Sequence, residues 1–225
     1  GLVGGPATAL DFDKDGLLDL YIGYFGQYTE GILPTLARVN TNGLPNKLFR
    51  NKGDFAFEDV TVKAGVAGNG WTQAVAHTDF TADGWQDIIE GNDFGTNPWY
   101  RNNGDGTFTD VSTELGTDKP SYTMGFGVGD LNADFVPDIY VSNIVTMDKD
   151  QKYVYPGDST RLKFDPDTMA TMRVVEANDL FVSQPSNSYI QSKNIDRGRA
   201  VTGWSWGADF FDFDNDGDVD LYVSN

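Results

Sequence analysis

No cysteine occurs among the 225 residues, which excludes disulfides, cysteine–zinc sites and thiol catalysis. The compartment stays open, because a chain of this length can bury enough core to fold outside the cell without disulfides. Histidine is almost as scarce: His77 stands alone, which disfavours a multi-histidine metal site and leaves one candidate for any histidine-based triad. No run approaches the roughly 18 apolar residues of a membrane span. Basic residues are few, 16 against 34 acidic ones, and the net charge of −18 disfavours nucleic acid or an anionic membrane as a partner of the metal-free chain. There is no Asn-x-Ser/Thr sequon, so N-glycosylation is not expected. The opening "GLVGGPATAL" shows no basic n-region or long apolar core, so no signal peptide is visible. One already removed would leave no trace.

What is abundant points to β structure. An apolar content of 39% and an aromatic content of 13% of the chain argue for a packed core rather than disorder, and 26 glycines predict many tight turns. One pattern recurs four times: "DFDKDGLLDLYIG" from Asp11, "DFTADGWQDIIEG" from Asp79, "DLNADFVPDIYVS" from Asp130, and "DFDNDGDVDLYVS" from Asp212. The spacings of 68, 51 and 82 look irregular until a second motif is included. "NKLFRN" at Asn46, "NPWYRN" at Asn97 and "NDLFVS" at Asn178 precede the next acidic stretch by 33, 33 and 34 residues, with an aromatic 11 residues after each asparagine: Phe57, Phe108 and Tyr189. Length variation is thus confined to insertions at about 27–44 and 145–177.

Each unit reads as four short strands bounded by Gly, Asn or Asp. In the second these are "TQAVAHTDF", "QDIIEGN", "PWYRNN" and "FTDVST", with "NNGDGT" as a hairpin turn. Four-stranded units repeating about every 50 residues predict an all-β fold of β-propeller blades. The chain holds three full blades and part of a fourth, expected to form one domain over 1–225 within a longer propeller. "DTMATMRVVEAN" in the second insertion predicts one short helix outside the blades.

The acidic stretches place oxygen-bearing side chains at offsets 0, 2 and 4 and a carboxylate at offset 8, with glycine at offset 5 in three of the four. That spacing suits a tight loop wrapping Ca²⁺, which takes about six to eight oxygens. The candidate ligands are Asp11, Asp13, Asp15 and Asp19; Asp79, Thr81, Asp83 and Asp87; Asp130, Asn132, Asp134 and Asp138; and Asp212, Asp214, Asp216 and Asp220. Leu17, Trp85, Val136 and Asp218 at offset 6 would offer backbone carbonyls. Isolated Asp, Asn and Gly residues often mark nothing more than a turn. Four such loops at one place in a repeat argue for a shared role, up to four Ca²⁺ ions, and against a single catalytic carboxylate pair. The first and fourth loops carry the fullest ligand set. Thr81 is a weaker ligand, and Phe135 stands where glycine is expected, so that turn should be strained or altered.

These motifs resemble the FG-GAP/VCBS repeat family, which includes the calcium-binding blades of integrin α-subunits and the cartilage-acidic-protein type with its bacterial relatives. "NKLFRNKGDFAFEDVTVKAGV" and "FFDFDNDGDVDLYV" carry the likeness, and "GFGVGDLNADFVPDIYV" is similar to the FG-GAP signature itself. The resemblance implies a propeller with calcium in the loop joining the first two strands of each blade. The departures at Thr81 and Phe135 bear on occupancy of the second and third loops.

The remaining features read as structural. His77 lies in an expected strand, Trp71, Trp204 and Trp206 are expected to pack between blades, and "GFGVGD" leads into an acidic loop rather than the helix a phosphate loop opens. No catalytic residue and no organic cofactor is assigned. The expectation is a non-enzymatic, extracellular, cell-surface or periplasmic module that takes a protein or glycan ligand, or a place in a larger assembly, through its loops and insertions. A polysaccharide-active enzyme, or its accessory domain, is the alternative.

Overall fold

The computed structural model describes residues 4–27, 30–32, 40–93, 95–144, 178–186, 188–191, 202 and 205–225. The insertion helix expected at 167–178 and Trp204 fall outside them, Asn178 excepted, as does most of both insertions. The described chain is all-β apart from two single-turn helices.

Three antiparallel four-stranded sheets follow the sequence repeat. The first contains β1 (Gly4–Leu10), β2 (Asp19–Tyr24), β3 (Lys47–Asn51) and β4 (Phe57–Asp59), in that order, and is followed by α1 (Thr61–Ala64). The second contains β5 (Thr72–Thr78), β6 (Asp87–Asn92), β8 (Trp99–Asn102) and β9 (Phe108–Asp110), followed by α2 (Ser112–Leu115). The third contains β11 (Thr123–Gly129), β12 (Asp138–Asn143), β13 (Asp179–Gln184) and β14 (Ser188–Gln191). β15 (Gly207–Phe211) and β16 (Asp220–Ser224) pair as a fourth, two-stranded sheet. Between the units, β7 (Gly95–Thr96) pairs with β10 (Pro120–Ser121). The four-stranded units match the sequence expectation; the two short helices and the β7–β10 pair had no periodicity long enough to announce them.

Successive sheets pack through their first strands, β1 against β5, β5 against β11 and β11 against β15. One apolar cluster, including Leu10, Tyr21, Leu48, Ile88 and Phe108, fills the space between the first and second sheets. Another, including Phe80, Ile89, Trp99, Ile139 and Tyr189, fills that between the second and third. Strands β6 and β12 are buried along their whole length, whereas β2 alternates. Sheets covered on both faces need no polar face, which is why "DIIEGN" reads as nearly continuous rather than alternating. Gly23 and Gly91 occupy one repeat position, and a Cβ at either would meet a threonine methyl of the next sheet, Thr72 or Thr123, at 2.6 Å. Glycine there allows the sheets to close on each other.

The asparagine motif joins these sheets. Asn46, Asn97 and Asn178 are all buried. Each accepts a hydrogen bond from the last residue of its own second strand: Tyr24 N at 2.7 Å, Asn92 N at 2.8 Å and Asn143 N at 2.8 Å. Each side-chain amide then donates to a hydroxyl at or just before the first strand of the next unit: Thr72 at 2.9 Å, Thr123 at 2.8 Å and Ser205 at 3.0 Å. An amide is suited to this because it donates and accepts at once. The aromatic of the fourth strand makes a second tie, since Phe108 packs on Phe12 and the Tyr189 hydroxyl donates to Phe80 O at 3.2 Å. Trp71 is fully buried against Phe25, as expected for a packing residue, whereas Trp206 is 54% exposed. His77 is half-buried in β5 with Nδ1 at 2.6 Å from the Thr8 hydroxyl, and burial lowers its pKa.

Candidate metal centre

Each acidic stretch forms the connection between the first two strands of a unit, and all four take the same backbone path. Offsets 3 and 5 adopt positive φ in each: Lys14 and Gly16, Ala82 and Gly84, Ala133 and Phe135, Asn215 and Gly217. Phe135 therefore strains the third turn (φ 67°) without altering it.

The aspartate at offset 0 organises the turn by accepting two backbone N–H groups. Asp11 accepts from Asp15 at 3.1 Å and Gly16 at 3.0 Å, and Asp212 from Asp216 and Gly217 at 3.1 Å each. Asp79 and Asp130 do the same for Asp83 and Gly84, and for Asp134 and Phe135. The offset-4 aspartates Asp15, Asp83, Asp134 and Asp216 accept from the N–H of Leu17, Trp85, Val136 and Asp218 at 2.9–3.0 Å. This bond holds the offset-6 peptide in place. Among the described residues, carboxylates converge in two groups, Asp11 with Asp13 and Asp15, and Asp212 with Asp214 and Asp216, each offering oxygens within 4.8 Å of one another. The second loop has Thr81 and the third Asn132 in place of one carboxylate.

The offset-8 aspartates stand apart from both groups. Asp19, Asp87 and Asp138 are fully buried, and each clamps its loop to the third strand of its unit. One oxygen accepts from the loop, Phe12 N at 3.1 Å, Phe80 N at 3.1 Å or Leu131 N at 2.8 Å. The other accepts from Asn51 N at 2.7 Å, Asn102 N at 2.8 Å or Ser183 N at 2.8 Å. Burial raises the pKa of Asp19 and Asp138 and pushes that of Asp87 up to about 7. Asp220 makes the loop bond to Phe213 N at 3.0 Å but is exposed. The sequence suggested a ligand at offset 8; the structure adds a structural duty that spacing within the loop does not disclose, because its partner lies about 32 residues away in the first unit.

Two cations also escaped the sequence reading. Arg50 of "NKLFRN" sits on the first group, with Nε 2.5 Å from Asp13 Oδ2 and Nη2 3.1 Å from Asp15 Oδ2. Lys14 lies 3.9 Å from the centre of a Trp85 ring, joining the first loop to the second. One buried carboxylate lies elsewhere: Glu90 in β6 accepts from Asn92 Nδ2 at 3.0 Å and lies 3.0 Å from the Tyr21 hydroxyl and 3.2 Å from that of Thr72. Neutral donors meet its oxygens and burial raises its pKa, so it belongs to the seam between the first two sheets. An acid inside the run "DIIEGN" was its visible signal.

The donor set of the two converging groups is all oxygen, which suits a hard cation such as Ca²⁺. Arg50 acts as a stand-in there, since a cation already lies against two of the three carboxylates of the first group. Repeated antiparallel sheets, each with an acidic Asx-rich loop between its first two strands, define an all-β repeat protein. The chain belongs to the FG-GAP-like repeat family, whose pattern matches residues 11–89 and 79–141. It is also similar to cartilage acidic protein 1 of Homo sapiens, at 29% identity over 141 residues, which cover 62% of this chain and 21% of that protein. The chain thus spans about a fifth of that relative's length.

Proposed function

We propose that the chain forms blades of a calcium-stabilised β-propeller, a single domain that works outside the cytoplasm as a protein-interaction or adhesion module rather than as an enzyme. Ca²⁺ would be held by the three converging carboxylates of the first and fourth loops, with the offset-6 carbonyls and offset-8 aspartates completing the shell. The second and third loops, each short of one carboxylate, would bind more weakly. The family membership and the acidic human relative support this reading and an extracellular setting. Among the described residues no helix is long and apolar enough to cross a membrane.

One observation carries the interaction role. Phe55 and Phe135 stand where sister units have Gly106 and Gly16, adopt positive φ of 57° and 67°, and are 99% and 93% exposed. A left-handed conformation at a non-glycine residue disfavours the folded chain, and strain of this kind clusters at functional surfaces. Phe55 lies in the turn between the third and fourth strands and Phe135 in an acidic loop. In an antiparallel meander these two connections emerge at the same end of the sheet, so the aromatic tips and the acidic loops share one face of the repeat array. A protein or glycan ligand would meet both.

Thermal unfolding with and without EDTA tests the calcium part. An ion at about 100 times its Kd adds about 2.7 kcal/mol, so chelation should lower Tm by roughly 5–10 °C for a chain of this size. An unchanged Tm would sink it. Turnover of any member of a polysaccharide panel would overturn the non-enzymatic reading.

A further inference from the structure

We propose that Arg50 is a tethered counter-cation of the first acidic loop, holding Asp13 and Asp15 in exchange with Ca²⁺ and moving onto Glu58 when the ion enters. The inference rests on the calcium reading of that loop.

The first and fourth loops share their turn bonds and left-handed residues, and both bring three carboxylates together. In the first loop a guanidinium lies on that group: Arg50 Nε and Nη2 reach Asp13 Oδ2 and Asp15 Oδ2. Nη2 donates to Asp15 while the Nε edge of the cation lies against Asp13, and those are the oxygens a Ca²⁺ ion would need. Two cations cannot share them, so one must leave. Among the described residues the second and third units lack this pairing. In the second, Arg101 occupies the equivalent strand position but Thr81 replaces the aspartate at offset 2, and among the described residues Arg101 forms no ion pair. In the third the position is Val182.

Arg50 has somewhere to go. Glu58 lies directly across the β3–β4 ladder from it, and side chains so placed share a face with Cβ atoms about 5 Å apart. Glu58 is 60% exposed and pairs loosely with Lys52 at 4.0 Å. A groove of about 320 Å³ beside this pair, lined by Phe12, Asp13, Arg50, Glu58, Lys63 and Asp105 among others, gives the side chain room to swing. The two arrangements make a two-state element whose balance Ca²⁺ shifts. The first loop therefore binds Ca²⁺ less tightly than it would without Arg50, and its loading changes the charge that lines the groove.

Calorimetric Ca²⁺ titration of the full chain in an Asp214→Asn/Asp216→Asn background, which removes two of the three converging carboxylates of the fourth loop, reads the first site. Arg50→Gln should tighten the first site up to about fivefold, by removing the cation that competes for Asp13 and Asp15. Glu58→Gln should loosen it about twofold by removing the receiving carboxylate. In EDTA, Arg50→Gln should lower Tm, since Asp13 and Asp15 then repel without a counter-ion; in saturating Ca²⁺ the two proteins should melt together. Unchanged or weaker binding by Arg50→Gln would overturn the proposal and make Arg50 a support of the cage. Unchanged or tighter binding by Glu58→Gln would overturn the receiving role of Glu58. Absence of Ca²⁺ binding by both the parent and Arg50→Gln would overturn the calcium reading and this one with it, whereas binding of equal strength overturns this one alone.

Discussion

The first and third acidic loops follow one backbone path and satisfy their carboxylates differently. In the first, three aspartates converge and a guanidinium lies on two of them, with Gly16 at the left-handed position. In the third, Asn132 replaces one aspartate, and its amide donates to Asp134 Oδ2 at 3.0 Å while the Ser183 hydroxyl donates to the same atom at 2.8 Å. The bond from Val136 N, followed by these two, holds the Asp134 carboxyl below the usual carboxylate range. Its left-handed position carries Phe135. The turn is therefore written by Asp130 and the backbone it receives, and neither glycine nor a third carboxylate is needed to form it. A shared loop shape does not imply a shared cation. The charge set and the groups around it decide that.

Installing the missing carboxylate should break the contrast most strongly. Asn132→Asp removes the amide that steadies Asp134 and adds a like charge, so in EDTA it should lower stability by about 1–2 kcal/mol. With three carboxylates in place the third loop should then bind Ca²⁺ about tenfold more tightly, and saturating Ca²⁺ should restore the lost stability. Urea midpoints in the two buffers measure both halves. A loss that Ca²⁺ does not recover would mean that the cage needs more than its charge set.

Relieving the strained turn is the next effect in size. A left-handed non-glycine residue costs about 1–2 kcal/mol, and glycine returns about half of that as unfolded-chain entropy. Phe135→Gly should therefore stabilise the protein by about 0.5–1 kcal/mol, visible as a higher urea midpoint at an unchanged slope. A destabilised variant would show that Phe135 packs on something that its 93% exposure hides.

The smallest effect probes the seam that carries the first loop. Burial lowers the pKa of His77, so the native state favours neutral imidazole. Its contribution is present above the unfolded value of about 6.5 and is lost as the pH falls below it. The difference in Tm between wild type and His77→Gln should shrink between about pH 7.5 and pH 5.5. A difference that grows on acidification would contradict the burial account.

Much of this was readable before any coordinates. Four-stranded units, their boundaries and the acidic loops all follow from local patterns, because strand alternation, turn residues and loop ligands lie within about ten residues of one another. The unequal loops were legible for the same reason, from Thr81, Asn132 and Phe135. The asparagine motif was visible as a regularity without a role. Asn46, Asn97 and Asn178 act on the next unit, and Thr72 lies 26 residues beyond Asn46. The clamp made by Asp19, Asp87 and Asp138, the buried Glu90 and the cation on Asp13 escaped in the same way.

The sequence by itself determined the repeat, the strand order within it and the places where oxygen ligands are crowded together, since each depends on near neighbours along the chain. Only the tertiary structure decided which carboxylates converge, which are buried as clamps, and that Arg50 reaches the first loop from 35 residues away. Those outcomes depend on how sheets stack and which strand lies beside which loop. Contacts of that range are set by burial and packing, and residue spacing carries no record of them.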